Sequence, residues 1–154
     1  MEPANYLLLF GPNLNRLGQR DPSLYGTLTL AEIGDRVRSY FEADGLTIDV
    51  AQSNSEGRLI DFLQDASDRM QGVVFNPGAF AHYSYALRDA IADCRCPVVE
   101  VHFSNTHARE EFRHTSVTAA ACKGVVAGLG WFGLVLAIMA LREGQGTSSD
   151  LSKG

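Results

Sequence analysis

Five short apolar runs, separated by stretches with helical periodicity, restrict the fold more than any other feature of this chain. They are Asn5–Phe10, Leu46–Ala51, Gly72–Phe75, Pro97–His102 and Lys123–Ala127. Each is too short for a helix and bounded by turn residues, so each reads as a strand, mostly buried on both faces. Thr29 and Glu32 form a capping box ahead of Leu30, Ile33, Val37 and Tyr40, and Gly45 closes that helix. Ser53 and Glu56 predict a second capping box, ahead of Leu59, Ile60 and Leu63. A third helix is expected from about Ser84 to Cys94, a last one from Trp131 to Arg142, and a short helical turn over Ala108–Arg113.

Strands alternating with helices imply a parallel sheet covered on both faces. The expected fold is α/β: a flavodoxin-like three-layer sandwich around a five-stranded parallel sheet of order 2-1-3-4-5. The length of 154 residues suits one domain. That domain is expected over residues 1–143, with the Gly-, Ser- and Thr-rich stretch 144–154 as a disordered tail. Hydrophobic residues make up 45% of the chain and charged residues 20%, enough apolar material for a full core. A net charge of -5 argues against a general nucleic-acid or membrane-surface binder. The uncharged segment Val125–Leu141 is interrupted by Gly128, Gly130 and Gly133, so it reads as a strand feeding a helix rather than a membrane span. Cys94, Cys96 and Cys122 make no zinc spacing and read as reduced thiols in a cytoplasmic protein. The first apolar run, Tyr6–Phe10, is too short for a secretory leader.

In such sheets ligands bind beyond the carboxyl ends of the strands, near the switch point between strands 1 and 3. Unusual polar groups gather there: Gly11-Pro12-Asn13 after the first strand, Asn76-Pro77-Gly78 after the third, and Glu100-Val101-His102 at the end of the fourth, followed by Ser104-Asn105. Glu100 and His102 are two apart on a strand and share a face. A carboxylate there fixes the imidazole tautomer and favours its protonated form, which makes His102 a candidate general acid. The stretch Gly11–Thr27 is long for a structureless loop and suggests a lid, carrying Arg16, Arg20, Asp21 and Tyr25. An adjacent Arg favours the phenolate, so Tyr25 could serve as a base, although a Tyr that merely anchors a mobile loop is an equal reading. His107, Arg109, Arg113 and His114 could clamp an anionic or polyhydroxyl ligand, or form a solvated turn. All basic residues but Lys123 and Lys153 are Arg. That suits carboxylate ligands, and a GC-rich genome would give the same bias.

Several chemistries find no support. Gly128-Leu129-Gly130-Trp131-Phe132-Gly133 matches G-x-G-x-x-G, but a dinucleotide site needs a following strand, with an acidic residue about 20 positions on, and a Gly-, Ser- and Thr-rich tail is expected where that strand would lie. No His pair has metal-ligand helical spacing. Lys123 precedes the fifth strand, at the wrong end of the sheet for a Schiff base, and Lys153 lies in the tail. No metal and no cofactor are therefore expected.

FGPNLNRLG and the RDPSLYG that follows it, QSNSEG, NPGAFAHYSYALRDAI and EVHFSNTHAREEFRHTS resemble type II 3-dehydroquinases, in order and in spacing, over about residues 5 to 142. The resemblance implies an anti elimination of water from 3-dehydroquinate through an enolate, giving 3-dehydroshikimate in aromatic amino-acid biosynthesis. The same reaction also serves quinate breakdown. The resemblance implies Tyr25 as the base, Arg20 as the cation favouring its phenolate, and His102 as the acid, with Glu100 behind it. It implies that Asn13 holds a water against the enolate, and that Asn76, His82 and Arg113 bind substrate hydroxyls, with Gly78 beside them. The amides of Phe103 and Ser104 match the carboxylate site, Arg109 matches a lid arginine, and Asp89 matches a residue reaching a neighbouring subunit's site. The implied assembly is a homododecamer, a tetramer of trimers. Phe10 stands where the family usually has Asn, and Phe103 is bulkier than the usual Ile or Leu. A non-catalytic flavodoxin-like binding protein and a different enzyme on the same fold, acting on another polyhydroxy acid, are the competing readings.

Overall fold

A computed structural model describes residues 5–146. β1 (Asn5–Phe10), β2 (Thr47–Gln52), β3 (Gly72–Asn76), β4 (Val98–His102) and β5 (Gly124–Ala127) form one sheet. All pairings are parallel, in the order β2-β1-β3-β4-β5, as the alternation of elements predicts. The helices are α1 (Pro22–Tyr25), α2 (Leu30–Tyr40), α3 (Glu56–Arg69), α4 (Tyr85–Asp93) and α5 (Phe132–Gly146).

The two-residue period of β1 divides the core. Tyr6, Leu8 and Phe10 pack with Ile33, Val37, Leu134 and Ile138 of α2 and α5. Leu7 and Leu9 point the other way, onto Leu59, Leu63, Leu87 and Ile91 of α3 and α4. Burial on both faces holds for β1, β3 and β4 but fails for β2 and β5, the two edges of the sheet. On β5, α5 covers Val126, while Val125 stays 50% exposed. A short β-branched run thus gives no sign of whether its strand is central or at an edge.

Helix starts follow the caps with one correction. Thr29 and Glu32 bond reciprocally at α2, as expected. At α3 the cap is Ser55, whose hydroxyl accepts from Arg58 N. Ser53 Oγ instead accepts from Ser55 N, and Glu56 reaches across to Ser84 Oγ at 2.5 Å, so the predicted Ser53–Glu56 box does not form. α5 runs to Gly146, past the Gly144 where the ordered chain was expected to end. The rest of the expected tail, 147–154, lies outside the described residues. Gly11–Thr27 is not structureless: it holds a 3-10 turn at Leu14–Arg16 and then α1. Thr106–Ala108 and Glu111–His114 form two 3-10 turns, where one turn was expected over Ala108–Arg113.

Candidate active site

The carboxyl edge is drawn together by backbone before any side chain acts. Gly11 N donates to Asn76 O at 2.8 Å, joining the turns after β1 and β3. The approach requires glycine, because a Cβ at Gly11 would lie 2.5 Å from Pro77 O. From the end of β2, Gln52 Nε2 donates to Gly11 O at 3.1 Å and to Asn54 Oδ1 at 3.0 Å. Asn54 Oδ1 in turn accepts from Asn13 N, which fixes Asn13 in the left-handed conformation at φ 70°. Asn76 Oδ1 accepts from Gly78 N at 3.1 Å, tightening the second turn.

These turns and the segment after β4 enclose a cavity of about 110 Å³. It is lined by Asn13, Arg20, Tyr25, Asn76, Gly78, His82, His102, Phe103, Ser104, Arg109 and Arg113. Of the residues that the resemblance implies, the structure brings together all but two, and His107 and His114, the other candidate clamps, lie outside this cavity. Glu100 lies behind the cavity wall, and Asp89 is exposed on α4, away from it. Sequence reasoning missed Pro12, Leu14, Ala79 and Thr106 in the lining, which belong to the same loops and carried no chemical signal of their own.

One wall is cationic around a phenol. Arg109 Nη1 donates to Tyr25 Oη at 2.9 Å, and Arg20 Nη2 lies 3.5 Å from the same oxygen. Arg20 also sits over the ring, 4.5 Å from its centroid. Arg109 Nη1 further donates to Ser104 Oγ at 3.2 Å, while its buried Nε, 3.9 Å from Glu110 Oε1, makes no hydrogen bond. The sequence singled out Arg20 beside Tyr25; the shorter contact comes from Arg109, 84 residues away in the chain.

The other wall is the imidazole of His102, whose Nε2 lies 3.0 Å from Glu100 Oε2. Glu100 is fully buried. Burial pushes its carboxyl upward, but hydrogen bonds from His102, Thr118 and Ser116 outweigh that effect and hold it below its ordinary value. Glu100 is therefore an anion that keeps an N–H on His102 Nε2 and leaves Nδ1 for other partners. His82 stacks on His102 with ring centroids 6.4 Å apart, and its Nδ1 is anchored by Thr115 O at 2.8 Å. Arg113 Nε is steadied by Glu110 Oε2 at 3.1 Å. Phe10 and Phe103, the two departures from the family pattern, pack against each other at 6.4 Å, so the large side chain beside the cavity is met by one beneath it.

The glycine run after β5 has its amides occupied. Gly128 N donates to His102 O and Gly130 N to Phe103 O, so neither is free to cradle a phosphate. The cysteines are free thiols, and burial pushes Cys122 up to about 12, with the Glu100 charge adding to it. Among the described residues no group of His, Cys, Asp and Glu could hold a metal ion, and no helix is long and apolar enough to cross a membrane.

The fold and cavity define a flavodoxin-like α/β protein with a polar acid–base cleft at the carboxyl edge of its sheet. The family model for Dehydroquinase class II matches residues 4–142, and the chain belongs to that family. It is 55% identical to a 3-dehydroquinate dehydratase of Halalkalibacterium halodurans over 90% of this chain and 96% of that protein. Among solved structures it resembles the type II dehydroquinase of Butyrivibrio crossotus with a TM-score of 0.88 and 41% identity, covering 91% of this chain and 98% of that one. The type II dehydroquinase of Propionibacterium acnes gives 0.87 and 42%, covering 92% and 99%.

Proposed function

We propose that this chain dehydrates 3-dehydroquinate to 3-dehydroshikimate, the step that serves the shikimate route to aromatic amino acids. One observation carries the chemistry: a phenol held by two guanidinium groups and an imidazole backed by a buried carboxylate face the same small cavity. Tyr25, as phenolate, takes the proton from the carbon beside the ketone, and the C–H electron pair becomes the enolate. Asn13 holds a water against the enolate oxygen. The enolate then collapses and expels the hydroxyl, which takes a proton from His102 and leaves as water. Glu100 stabilises the imidazolium before that transfer. Arg20 and Arg109 hold the Tyr25 oxygen in place and set two cations beside it. Asn76, Gly78, His82 and Arg113 receive the substrate hydroxyls, and the amides of Phe103 and Ser104 receive its carboxylate. No step calls for a metal or an imine.

The reading extends to a cytoplasmic homo-oligomer, a dodecamer built as a tetramer of trimers. Asp89 supports it by lying exposed and outside its own cavity, where it is free to reach a neighbour's. Tyr83, Tyr85 and Phe112, exposed by 61%, 66% and 56%, offer apolar surface for such a contact.

The test is the ultraviolet absorbance of the conjugated enone carboxylate, followed with 3-dehydroquinate as substrate. Its appearance, and loss of the signal in Tyr25→Phe, support the reading. No product from the folded, assembled protein would favour a binding protein on the same fold.

A further inference from the structure

Ser116 and Thr118 lie 16 and 18 residues beyond Glu100, yet both hydroxyls end on its carboxylate. Ser116 Oγ donates to Oε2 at 2.8 Å and accepts from Ala119 N at 3.0 Å, which fixes the direction of its own proton. Thr118, fully buried, donates to Oε1. The two hydroxyl oxygens are 3.1 Å apart. Each has a single proton, so with both aimed at the carboxylate neither bonds the other. Along the segment the contacts alternate: Thr115 O pairs with His82 Nδ1 and Val117 N donates to Ala81 O, while the side chains of 116 and 118 turn to Glu100. One short stretch therefore ties the His82 turn and the buried anion into a single frame. His102, Ser116 and Thr118 surround Glu100, and the last two arrive as donors, so a protonated Glu100 would set its own O–H among donors. His82, His107, His114 and Arg113 line the adjoining space around His102, and the Cys122 thiol flanks Glu100.

We propose that Ser116 and Thr118 are positioning residues for the dehydration: they hold the Glu100 carboxylate fixed, and through it hold the His102 ring oriented for proton delivery. This rests on His102 being the acid. Neither residue lines the proposed substrate cavity, so their loss acts on turnover and not on binding.

The variants are Thr118→Val, Thr118→Ser and Ser116→Ala, each compared with His102→Ala by product absorbance. Thr118→Val should lower kcat about tenfold or more with KM within about twofold, and Thr118→Ser should restore most of the rate. The slowly exchanging ring N–H signal of His102 in proton NMR should be present in the native enzyme and in Thr118→Ser, and lost or shifted in Thr118→Val. A folded Thr118→Val with native kcat and an unchanged His102 signal overturns the proposal. If Thr118→Val fails to fold, Ser116→Ala decides by the same kcat and NMR criteria. Should His102→Ala itself keep native kcat, the assignment of the acid fails, and that result is distinct from any obtained on residues 116 and 118.

Discussion

Two guanidinium groups on one phenol oxygen make the first residue-scale prediction. Because Arg109 is 2.9 Å from Tyr25 Oη and Arg20 is 3.5 Å away, Arg109→Ala should lower kcat at least as far as Arg20→Ala. Tyr25→Phe should lose about 10²–10⁴ of the rate, the usual worth of a general base; stopped-flow or steady-state absorbance ranks the three. If Arg109→Ala is harmless while Arg20→Ala is crippling, the shorter contact is structural only. A second prediction concerns Glu100, whose carboxyl in the fold is held below its ordinary 4.5. Its contribution to stability is complete above that pH and is lost as pH falls through the lower folded value, because there the unfolded chain binds the extra proton. Between about pH 6 and about pH 3 the urea midpoint of the native enzyme should therefore fall more steeply than that of Glu100→Gln. Parallel curves would mean that Glu100 carries no charge in the fold. Glu100 and His102 were legible together because a strand's period of two places them on one face. The hydroxyls of Ser116 and Thr118 were not, since nothing local in HTSVT says which side faces a distant carboxylate. Asp89 is proposed through the resemblance alone, because it lies outside the cavity of its own chain.

The elements around the site divide into a backbone frame and the segment proposed as a lid. The frame depends on the Gly11 turn meeting Pro77, so Gly11→Ala should cost about 1–3 kcal/mol, read as a lower urea midpoint. A neutral outcome would mean that the two turns can separate without loss. The proposed lid, from Gly11 to Thr27, carries Arg16 exposed and Arg20 half-buried, with the Arg20 guanidinium over the Tyr25 ring. Trypsin should therefore cut at Arg16 before Arg20, and a carboxylate-bearing inhibitor that engages Arg20, Tyr25 and Arg109 should slow cleavage at both. Equal cleavage with and without inhibitor would mark the segment as a fixed wall. The position of this segment at the site was readable from its length between the first strand and the first long helix. Its internal order was not, because Pro22-Ser23-Leu24-Tyr25 is a single turn of helix stabilised by its seat against the core rather than by any period of its own.

At the scale of the whole molecule the sheet order and both helix layers followed from the alternation of elements, since short apolar runs joined by amphipathic helices leave few ways to bury both faces. The extent of burial at β2 and β5 did not follow, because edge and central strands share the same apolar residues. Exposed Asp89 and the aromatic surface near it predict that light scattering at micromolar concentration gives a large assembly, and that Asp89→Ala lowers activity without emptying the cavity of its own chain. A fully active monomer would oppose both. The contact between Tyr25 and Arg109 carries a last consequence for the timing of the cycle. The oxygen that latches the lid is also the proposed proton acceptor, so the catch and the reagent are one atom. Once it has taken the substrate's proton it is a weaker acceptor, and its grip on both guanidinium groups relaxes. On the proposed mechanism the door is bolted hardest before the reaction and loosens when the proton arrives, so that release would be cued by the chemistry rather than by a separate signal.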